Sequence, residues 1–263
     1  MIEAEDNIRD IQAYWNQRAS LAPWAGSRDV LAKQLEIEAI AGYVRDGMHI
    51  LDIGCGNGLT AIELAKRFHV DVMGFDYAEE MVSAANKLAV GQKLCGSVTF
   101  RIGDVRKLEE ISDRFDLIYT ERVIINLPSW ELQKKAIADI CNLLAPNGLF
   151  VMCENSQDGL DKINSFRNSV GLTSIVPPWH NRYLRDVEVA QISIPGIRLD
   201  GVNCYSSTYY FLSRIVNAWL AAQDGKEPDY DAPVNHLALK LPPIGDMGQG
   251  KIWLWRRASQ DRR

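Results

Sequence analysis

The chain has 263 residues, of which 47% are hydrophobic and 24% are charged, and its formal net charge is −5. This length suits one α/β domain with a sizeable core and room for an insertion, and the composition is that of an ordinary soluble globular protein. The acidic balance argues against a nucleic-acid partner, which usually requires a basic surface.

Two helices are predicted before the first strand. Hydrophobic residues recur at helical spacing from about residue 5 to residue 20. A second helix is predicted from near Asp29 to Val44, with Ser27 or Asp29 available as its N-cap.

A glycine-rich turn follows the first predicted strand. The apolar run at residues 49–53 has the size of a buried parallel strand. Three glycines then stand on alternate positions, Gly54, Gly56 and Gly58, ahead of a helical pattern. Glycine lets a ligand approach the backbone closely, and the helix N-terminus offers unpaired N–H groups. The sequence therefore predicts a nucleotide-type binding turn, the alternative being a strand–turn–helix without a ligand.

The residues around this turn argue against a dinucleotide. A dinucleotide-binding turn carries a third glycine where Leu59 stands here. Asp52, two residues before the first glycine, would repel a pyrophosphate and would suit a ligand that carries an ammonium group. An NAD-dependent oxidoreductase is therefore a disfavoured alternative.

Strands and helices then alternate, which predicts a parallel sheet. Asp76 ends the second strand, at about the separation from the glycines where such sheets place an acid on the ribose hydroxyls. The alternative for Asp76 is the N-cap of the next helix. The further predicted elements are strands at 98–102, 115–120 and 149–153, helices at 79–89 and 130–144, and a turn at 146–148 before the fifth strand.

These features resemble the class I S-adenosylmethionine (SAM)-dependent methyltransferases. The shared features are the acid and glycines of motif I, Asp76, Gly103-Asp104 and the turn at 146–148. Residues 14–19 also resemble the Y-W-x-x-R-A segment of many small-molecule members. The resemblance covers roughly residues 14–154. It implies a doubly wound, mostly parallel, seven-stranded Rossmann-like sheet with an insertion after strand five.

The resemblance also implies SAM as the cofactor and suggests which residues hold it. The arginine of the N-terminal segment would reach the methionine carboxylate, Asp76 the ribose and Asp104 the adenine. The implied cofactor contacts are Tyr14, Arg18, Asp52, Gly54, Gly56, Asn57, Asp76, Tyr77, Met81, Asp104, Val105 and Glu121.

Two subfamilies and a metal are disfavoured. Residues 120–123 read Thr-Glu-Arg-Val, without the Asn/Asp-Pro-Pro-aromatic box of base N-methyltransferases, so DNA or RNA bases are not the expected acceptors. The clustered acids of magnesium-dependent members are also missing, and Asp139 reads as an exposed helix residue. Five scattered cysteines without a C-x-x-C pair argue against a zinc site or disulfide framework. No metal is expected.

The acceptor is predicted to contact a segment beyond the fifth strand. Residues 177–183 read Pro-Pro-Trp-His-Asn-Arg-Tyr, and loops at the carboxyl ends of parallel strands commonly bind substrates. The alternative is a tryptophan-anchored surface loop. This segment and residues 206–214 faintly resemble methyltransferases of cell-surface polysaccharides or related glycans. The predicted substrate contacts are Asn126, Trp179, Asn181, Arg182, Tyr183 and Tyr209.

His180 is the predicted general base, and Glu154 is the second choice. The other three histidines fall at the opposite end of the sheet or in a loop without helpful neighbours. A histidine titrates near pH 6.5, which suits removal of a hydroxyl proton at neutral pH. We therefore expect O-methylation of a small polar acceptor, such as a sugar or glycan hydroxyl.

The whole chain is interpreted as a single methyltransferase domain, residues 1–263. Residues 1–46 would form a helical lid, 47–154 the SAM-binding core, 155–248 a substrate-side insertion with late elements, and 249–257 the closing strand. No signal peptide or membrane span is expected, and the cysteine usage favours the cytoplasm. A homodimer and a catalytically silent SAM-binding partner subunit remain alternatives.

Overall fold

One seven-stranded sheet organises the chain. The computed structural model describes residues 2–259, with the side chains of residues 7–21 and 25–259. The strands are β1 (His49–Ile53), β2 (Asp71–Asp76), β3 (Ser97–Ile102), β4 (Phe115–Glu121), β5 (Leu144–Asn155), β6 (Ile197–Asn203) and β7 (Gly250–Arg257). Their order in the sheet is β3-β2-β1-β4-β5-β7-β6.

The sheet is parallel from β3 to β5, and β7 pairs antiparallel with both β5 and β6. The predicted doubly wound, mostly parallel fold is therefore confirmed. The chain moves outward from β1 to β3 and returns to β4 on the other side of β1. Such a reversal opens a crevice at the carboxyl ends of the central strands, where open α/β sheets bind their ligands.

Ten α-helical segments, within residues 2–259, cover the sheet and its ends. They are α1 (Ile2–Arg18), α2 (Val30–Ala41), α3 (Leu59–Arg67), α4 (Glu79–Ala89), α5 (Trp130–Asn142), α6 (Gln157–Ser169), α7 (Asp186–Ala190), α8 (Ser207–Phe211), α9 (Ala218–Gln223) and α10 (Pro233–Ala238). A π-helical segment, Leu212–Asn217, joins α8 to α9. Within the same residues, no helix is long and apolar enough to cross a bilayer.

Side-chain caps fix where several helices begin. The Asp29 carboxylate accepts the N–H of Ala32 at 2.9 Å, so it is the N-cap of α2, as predicted. Ser129 caps α5 in the same way through the N–H of Leu132. Each cap satisfies a backbone donor that the first helical turn leaves unpaired.

The core has two main hydrophobic clusters, one on each face of the sheet. Neighbouring strand residues point to opposite faces, so Leu117 and Ile118 of β4 belong to different clusters. Val151 and Phe150 of β5 divide in the same way. Burial on both faces holds the central strands in place, and it therefore also fixes the loops at their carboxyl ends.

The turn predicted at residues 146–148 has a different form. It lies inside β5, where the pairing with β4 shifts between Phe115 and Leu117. Asn147 adopts a positive φ of 63°, as an extra residue in a strand often requires. The prediction of a separate turn before the fifth strand was wrong, because the strand continues through the irregularity.

Candidate functional site

A cavity of about 480 Å³ lies at the carboxyl ends of the central strands. The glycine turn after β1, helix α1, the loop after β4 and the segment at residues 175–183 contribute to its walls. Every predicted cofactor contact lines it, and so do His180, Asn126, Asn181 and Tyr183. The sequence motifs therefore converge on one site.

The three glycines of the turn have different roles. All have positive φ, but a Cβ on Gly54 would lie 2.3 Å from Val123 Cγ2, and one on Gly58 would lie 2.6 Å from Phe100 Cζ. Gly54 and Gly58 are therefore required by packing within the protein. A Cβ on Gly56 would meet nothing within 4 Å, so this glycine presents open backbone to the cavity.

Asp76 joins the glycine turn to β2. Its carboxylate accepts the N–H of Gly56 at 2.9 Å and that of Ala78 at 2.9 Å. Burial raises the pKa of Asp76 to about 6, although these backbone hydrogen bonds oppose the shift. Ala78, not Asp76, is the N-cap residue of α4, so the alternative interpretation as a helix cap does not apply.

Asp104 is held in place on the neighbouring wall of the cavity. Its carboxylate accepts the backbone N–H of Arg106 at 2.9 Å and forms an ion pair with the Arg106 guanidinium. Tyr77, Met81 and Val105 line the cavity beside it. A flat apolar group with a polar edge, such as a nucleobase, fits this combination of one carboxylate and apolar side chains.

Charged side chains meet below the glycine turn. Glu121 accepts hydrogen bonds from Lys33 and, at 2.8 Å, from Thr60 Oγ1. Burial would raise the pKa of Glu121, but the Lys33 and Arg122 charges outweigh it and hold the pKa low. Burial raises the pKa of the adjacent Asp52 to about 8. A bound cation would favour the ionised form of Asp52, because it would replace the lost hydration.

Helix α1 covers the cavity. Trp15 Nε1 donates to Asn126 Oδ1 at 2.9 Å, which fastens the helix to the loop after β4. Arg18 Nε donates to the carbonyl of Ala25 at 2.5 Å, and its guanidinium lies 5.6 Å from the Tyr14 ring centroid. Tyr14, Trp15 and Arg18 all line the cavity, as a lid would.

His180 is enclosed by aromatic side chains. Its ring centroid lies 4.5 Å from that of Tyr14, 5.6 Å from Trp15 and 5.4 Å from Trp179. Burial, together with the positive charge of Arg18, lowers its pKa below the usual 6.5. Nδ1 is buried without a hydrogen-bond partner among the residues that the structure describes. Both effects favour the neutral form of the His180 imidazole.

The other residues of the segment 177–183 divide between the cavity and its surroundings. Asn181 and Tyr183 line the cavity, and Asn181 Oδ1 is buried without a partner among the described residues. Arg182 does not line it, because its guanidinium binds Gln133 at 2.7 Å and Glu188 at 2.7 Å. Trp179 is 63% exposed and packs against the outer side of the aromatic cluster.

Two further predicted residues lie away from the cavity. Glu154 accepts the backbone N–H groups of Val123, Ile124 and Ile125 at 3.0, 3.1 and 3.3 Å, and it does not line the cavity. It orders the loop after β4, which contradicts its placement as a candidate base. Tyr209 is buried and donates to Asp29 at 2.6 Å, so it is not a substrate contact either.

Several cavity residues were not predicted from the sequence. They are Lys33, Thr60, Arg122, Arg214, Tyr230 and Gln249. Arg122 could have been predicted from the sequence, because it immediately follows β4 and so lies at the edge of the sheet that borders the cavity. The others lie on helices or loops whose positions depend on tertiary packing. Among the described residues, no group of three or more metal-binding side chains is present.

Comparison with known proteins agrees with this geometry. A family model described as "Methyltransferase domain" matches residues 44–176. The chain is 37% identical over 84 residues to phosphoethanolamine N-methyltransferase 3 of Arabidopsis thaliana, covering 32% of this chain and 17% of that protein. It is 28% identical over 137 residues to the ubiquinone biosynthesis O-methyltransferase of Coxiella burnetii, covering 52% of this chain and 54% of that protein. The chain thus spans about half, or less, of the length of these relatives.

A solved structure supports the fold. The crystal structure of magnesium protoporphyrin IX methyltransferase from Synechocystis PCC 6803, with bound SAH, matches with a TM-score of 0.55 and 16% identity. The match covers 87% of this chain and 84% of that one. This coverage is larger than the share of the chain matched by the family model, and the likeness is one of fold.

Proposed function

Because the chain belongs to the methyltransferase-domain family of class I SAM-dependent enzymes, we propose that it transfers the methyl group of SAM to a hydroxyl of a small polar acceptor. One observation carries the proposal. The same cavity joins the glycine turn, Asp76 and Asp104 to the neutral imidazole of His180.

The residues of the cavity fit SAM. Gly56 offers open backbone, and Asp76 presents a fixed carboxylate that can accept hydrogen bonds from a ribose diol. Asp104 faces the place of the adenine, and the buried Asp52 suits a cationic ligand. SAM supplies an electrophilic methyl carbon on a sulfonium, so the protein must position the acceptor and accept its proton.

His180 is placed to accept that proton. Burial and the charge of Arg18 lower its pKa and so favour the neutral ring, and only the neutral ring has a free lone pair. The surrounding rings of Tyr14, Trp15 and Trp179 exclude water and hold the imidazole in one orientation. Asn126 and Asn181 supply amide groups that would orient a hydroxylated acceptor beside it.

This arrangement supports oxygen as the acceptor atom. The two curated relatives are named as N- and O-methyltransferases, so their names do not decide between nitrogen and oxygen. A hydroxyl needs a base to remove its proton during transfer, and a neutral histidine meets that need. We therefore favour a sugar or glycan-type hydroxyl, with residues 155–248 forming the acceptor side.

A catalytically silent SAM-binding subunit is the second candidate function. It would be favoured if a loop filled the space beside His180. Instead, the cavity that contains His180 is also lined by Arg214 and Tyr230, which are not among the predicted cofactor contacts, and this supports an enzyme with an acceptor site.

The test is methyl transfer from radiolabelled SAM to matched sugar alcohols, amino sugars and simple amines. We expect label on oxygen and SAM binding by calorimetry. Absence of SAM binding would overturn the cofactor assignment. Labelling of amine nitrogens alone would overturn the hydroxyl acceptor.

A further inference from the structure

The cavity wall also contains a group of residues that the cofactor assignment does not use. We call it the distal subsite and define it by Arg122, Tyr183, Arg214, Tyr230 and Gln249. All of them line the cavity that also contains His180. The distal subsite is rich in hydrogen-bond donors and contains two guanidinium groups.

Arg214 is held rigidly in this subsite. Its Nη2 donates to Asp29 Oδ2 at 2.5 Å and its Nη1 to Ser213 Oγ at 2.6 Å. The guanidinium carbon lies 5.0 Å from the Tyr210 ring centroid and 4.7 Å from that of Tyr230. A guanidinium has five N–H donors, and the bonds to Asp29 and Ser213 leave donors for a ligand. Its orientation is therefore fixed before any acceptor arrives.

The backbone places Arg214 by an uncommon device. The residue lies in the π-helical segment Leu212–Asn217, and such segments are rare and often occur at functional sites. Asp29, the N-cap of α2, forms an ion pair with the guanidinium. The Tyr209 hydroxyl donates a hydrogen bond to the same carboxylate. Two helices thus position one side chain at the cavity wall.

Arg122 adds a second guanidinium under backbone strain. It is a non-glycine residue with a φ of 59°, a strained conformation that tends to occur at functional sites. Its Nε is buried without a hydrogen-bond partner among the described residues. Its Nη2 lies 3.3 Å from Glu121 and 3.4 Å from Glu36.

The acids near the two arginines are shared with other groups. Glu121 pairs with both Lys33 and Arg122, and Asp29 pairs with Arg214. Glu36 lies 3.4 Å from Arg122, and burial raises the pKa of Glu36 to about 8. Burial therefore weakens Glu36 as a counter-charge for Arg122.

Tyr183 lines the same cavity as the two arginines. Its hydroxyl accepts a hydrogen bond from Gln249 Nε2 at 3.4 Å. Burial raises the pKa of Tyr183, while Asn155 and the positive charges of Arg122 and Arg214 oppose the shift. The phenol therefore keeps its proton and can donate it in a hydrogen bond to a ligand.

We propose that the acceptor carries an oxyanion, either a carboxylate or a phosphate ester, which binds in the distal subsite to Arg214 with Tyr183 as a further donor. Guanidinium groups bind such planar or tetrahedral oxyanions through paired charge-assisted hydrogen bonds. The inference rests on the proposed function, because it names the class of acceptor whose hydroxyl His180 would meet in the same cavity.

The experiment measures anion binding to protein saturated with S-adenosylhomocysteine, so that the cofactor's own carboxylate position is filled. Inorganic phosphate is followed by ³¹P line broadening, and succinate by proton saturation transfer. We expect the wild-type protein to bind at least one probe and Arg214→Gln to weaken that binding about tenfold or more. Binding of phosphate alone indicates a phosphate ester, and binding of succinate alone indicates a carboxylate.

Arg198→Gln is the matched control, because Arg198 is 74% exposed on β6 and lies outside the cavity. It should bind both probes as the wild-type protein does. Arg214→Gln could fail to fold because Asp29 would lose its partner. In that case the double variant with Asp29→Asn and Arg214→Gln, which removes both charges, is measured in place of the single variant. The inference is overturned if the wild-type protein binds neither probe, or if the folded variant binds as tightly as the wild type.

Calorimetry with SAM on the same samples separates the two proposals. Arg214→Gln should keep SAM affinity within about twofold, since Arg214 is not among the cofactor contacts. A wild-type protein that binds the anions but not SAM would contradict the proposed function and leave the anion site standing.

Discussion

The Asp76 carboxylate and the backbone N–H of Gly56 are joined by a hydrogen bond of 2.9 Å. This bond ties the end of β2 to the most open glycine of the turn after β1. The acid proposed to bind the ribose and the open backbone at Gly56 therefore form one preorganised unit, and a change in either should affect the other.

Asp76→Ala should weaken SAM binding by about 1.5–3 kcal/mol, the usual worth of a hydrogen bond to a charged group. Calorimetry measures the effect. Asp71→Asn is the control, because Asp71 lies at the opposite end of the same strand and is exposed. Tight binding of NAD, or unchanged SAM affinity in Asp76→Ala, would contradict the assignment of this site.

His180→Gln should lower turnover by about 10²–10⁴-fold while SAM affinity changes little. Glutamine is chosen because it retains part of the packing against Tyr14 and Trp15. The wild-type rate should fall on the acid side with an apparent pKa below 6.5, since burial and Arg18 lower the pKa of His180. His236→Gln is the control, because His236 is 50% exposed and pairs with Asp231. Near-normal turnover of His180→Gln would show that another group accepts the proton.

Glu154→Gln should destabilise the protein by about 1–3 kcal/mol, because one of the two acceptor oxygens that bind backbone N–H groups becomes a donor. Denaturant unfolding measures the loss, with Glu131→Gln on the exposed first turn of α5 as the control. On the acid side, the pH profile of turnover of Glu154→Gln should match that of the wild type. A shifted profile would return Glu154 to the candidates for the base.

The stability of the ligand-free protein should fall as pH rises. Burial raises the pKa of Asp52 from 3.8 to about 8. The folded protein therefore holds a proton that the unfolded chain has already released, and its stabilising effect is complete below about pH 4. That contribution decreases between about pH 4 and pH 8 and is lost above the folded pKa.

Asp52→Asn isolates this effect, because asparagine does not titrate. Scanning calorimetry of wild type and variant at about pH 5.5 and about pH 8.5 compares their melting temperatures. The melting temperature of the variant should rise relative to that of the wild type as pH increases. If the difference between them stays constant or changes in the opposite direction, Asp52 is not the buried titrating group.

The cofactor half of the site could be predicted from the sequence because it depends on local patterns. A strand, its closing glycines and the acid of the next strand occupy fixed places once the sheet is parallel. Asp52, Gly56 and Asp76 therefore converge as expected. The loop carrying His180 could be predicted only as a segment, and its composition indicated that some of its side chains would face a ligand.

The acceptor half depended on contacts that no short pattern contains. The Arg182 guanidinium binds Gln133 and Glu188 and so does not reach the cavity. Gln133 is distant in sequence, and Glu188 lies on helix α7. Arg214 reaches the cavity because a π-helical segment and Asp29 place it there. Glu154, an acid at a strand end, has the position of a reactive group, but its oxygens accept hydrogen bonds from three N–H groups of the adjacent loop.

The lid also has a consequence for biosynthesis. Trp15 contacts Asn126 and Tyr14 contacts His180, so residues made early in translation dock on residues made much later. Until residue 180 has left the ribosome, helix α1 has no complete surface to cover. Helix α1 therefore completes its contacts, and closes the cavity, only after residue 180 has been synthesised.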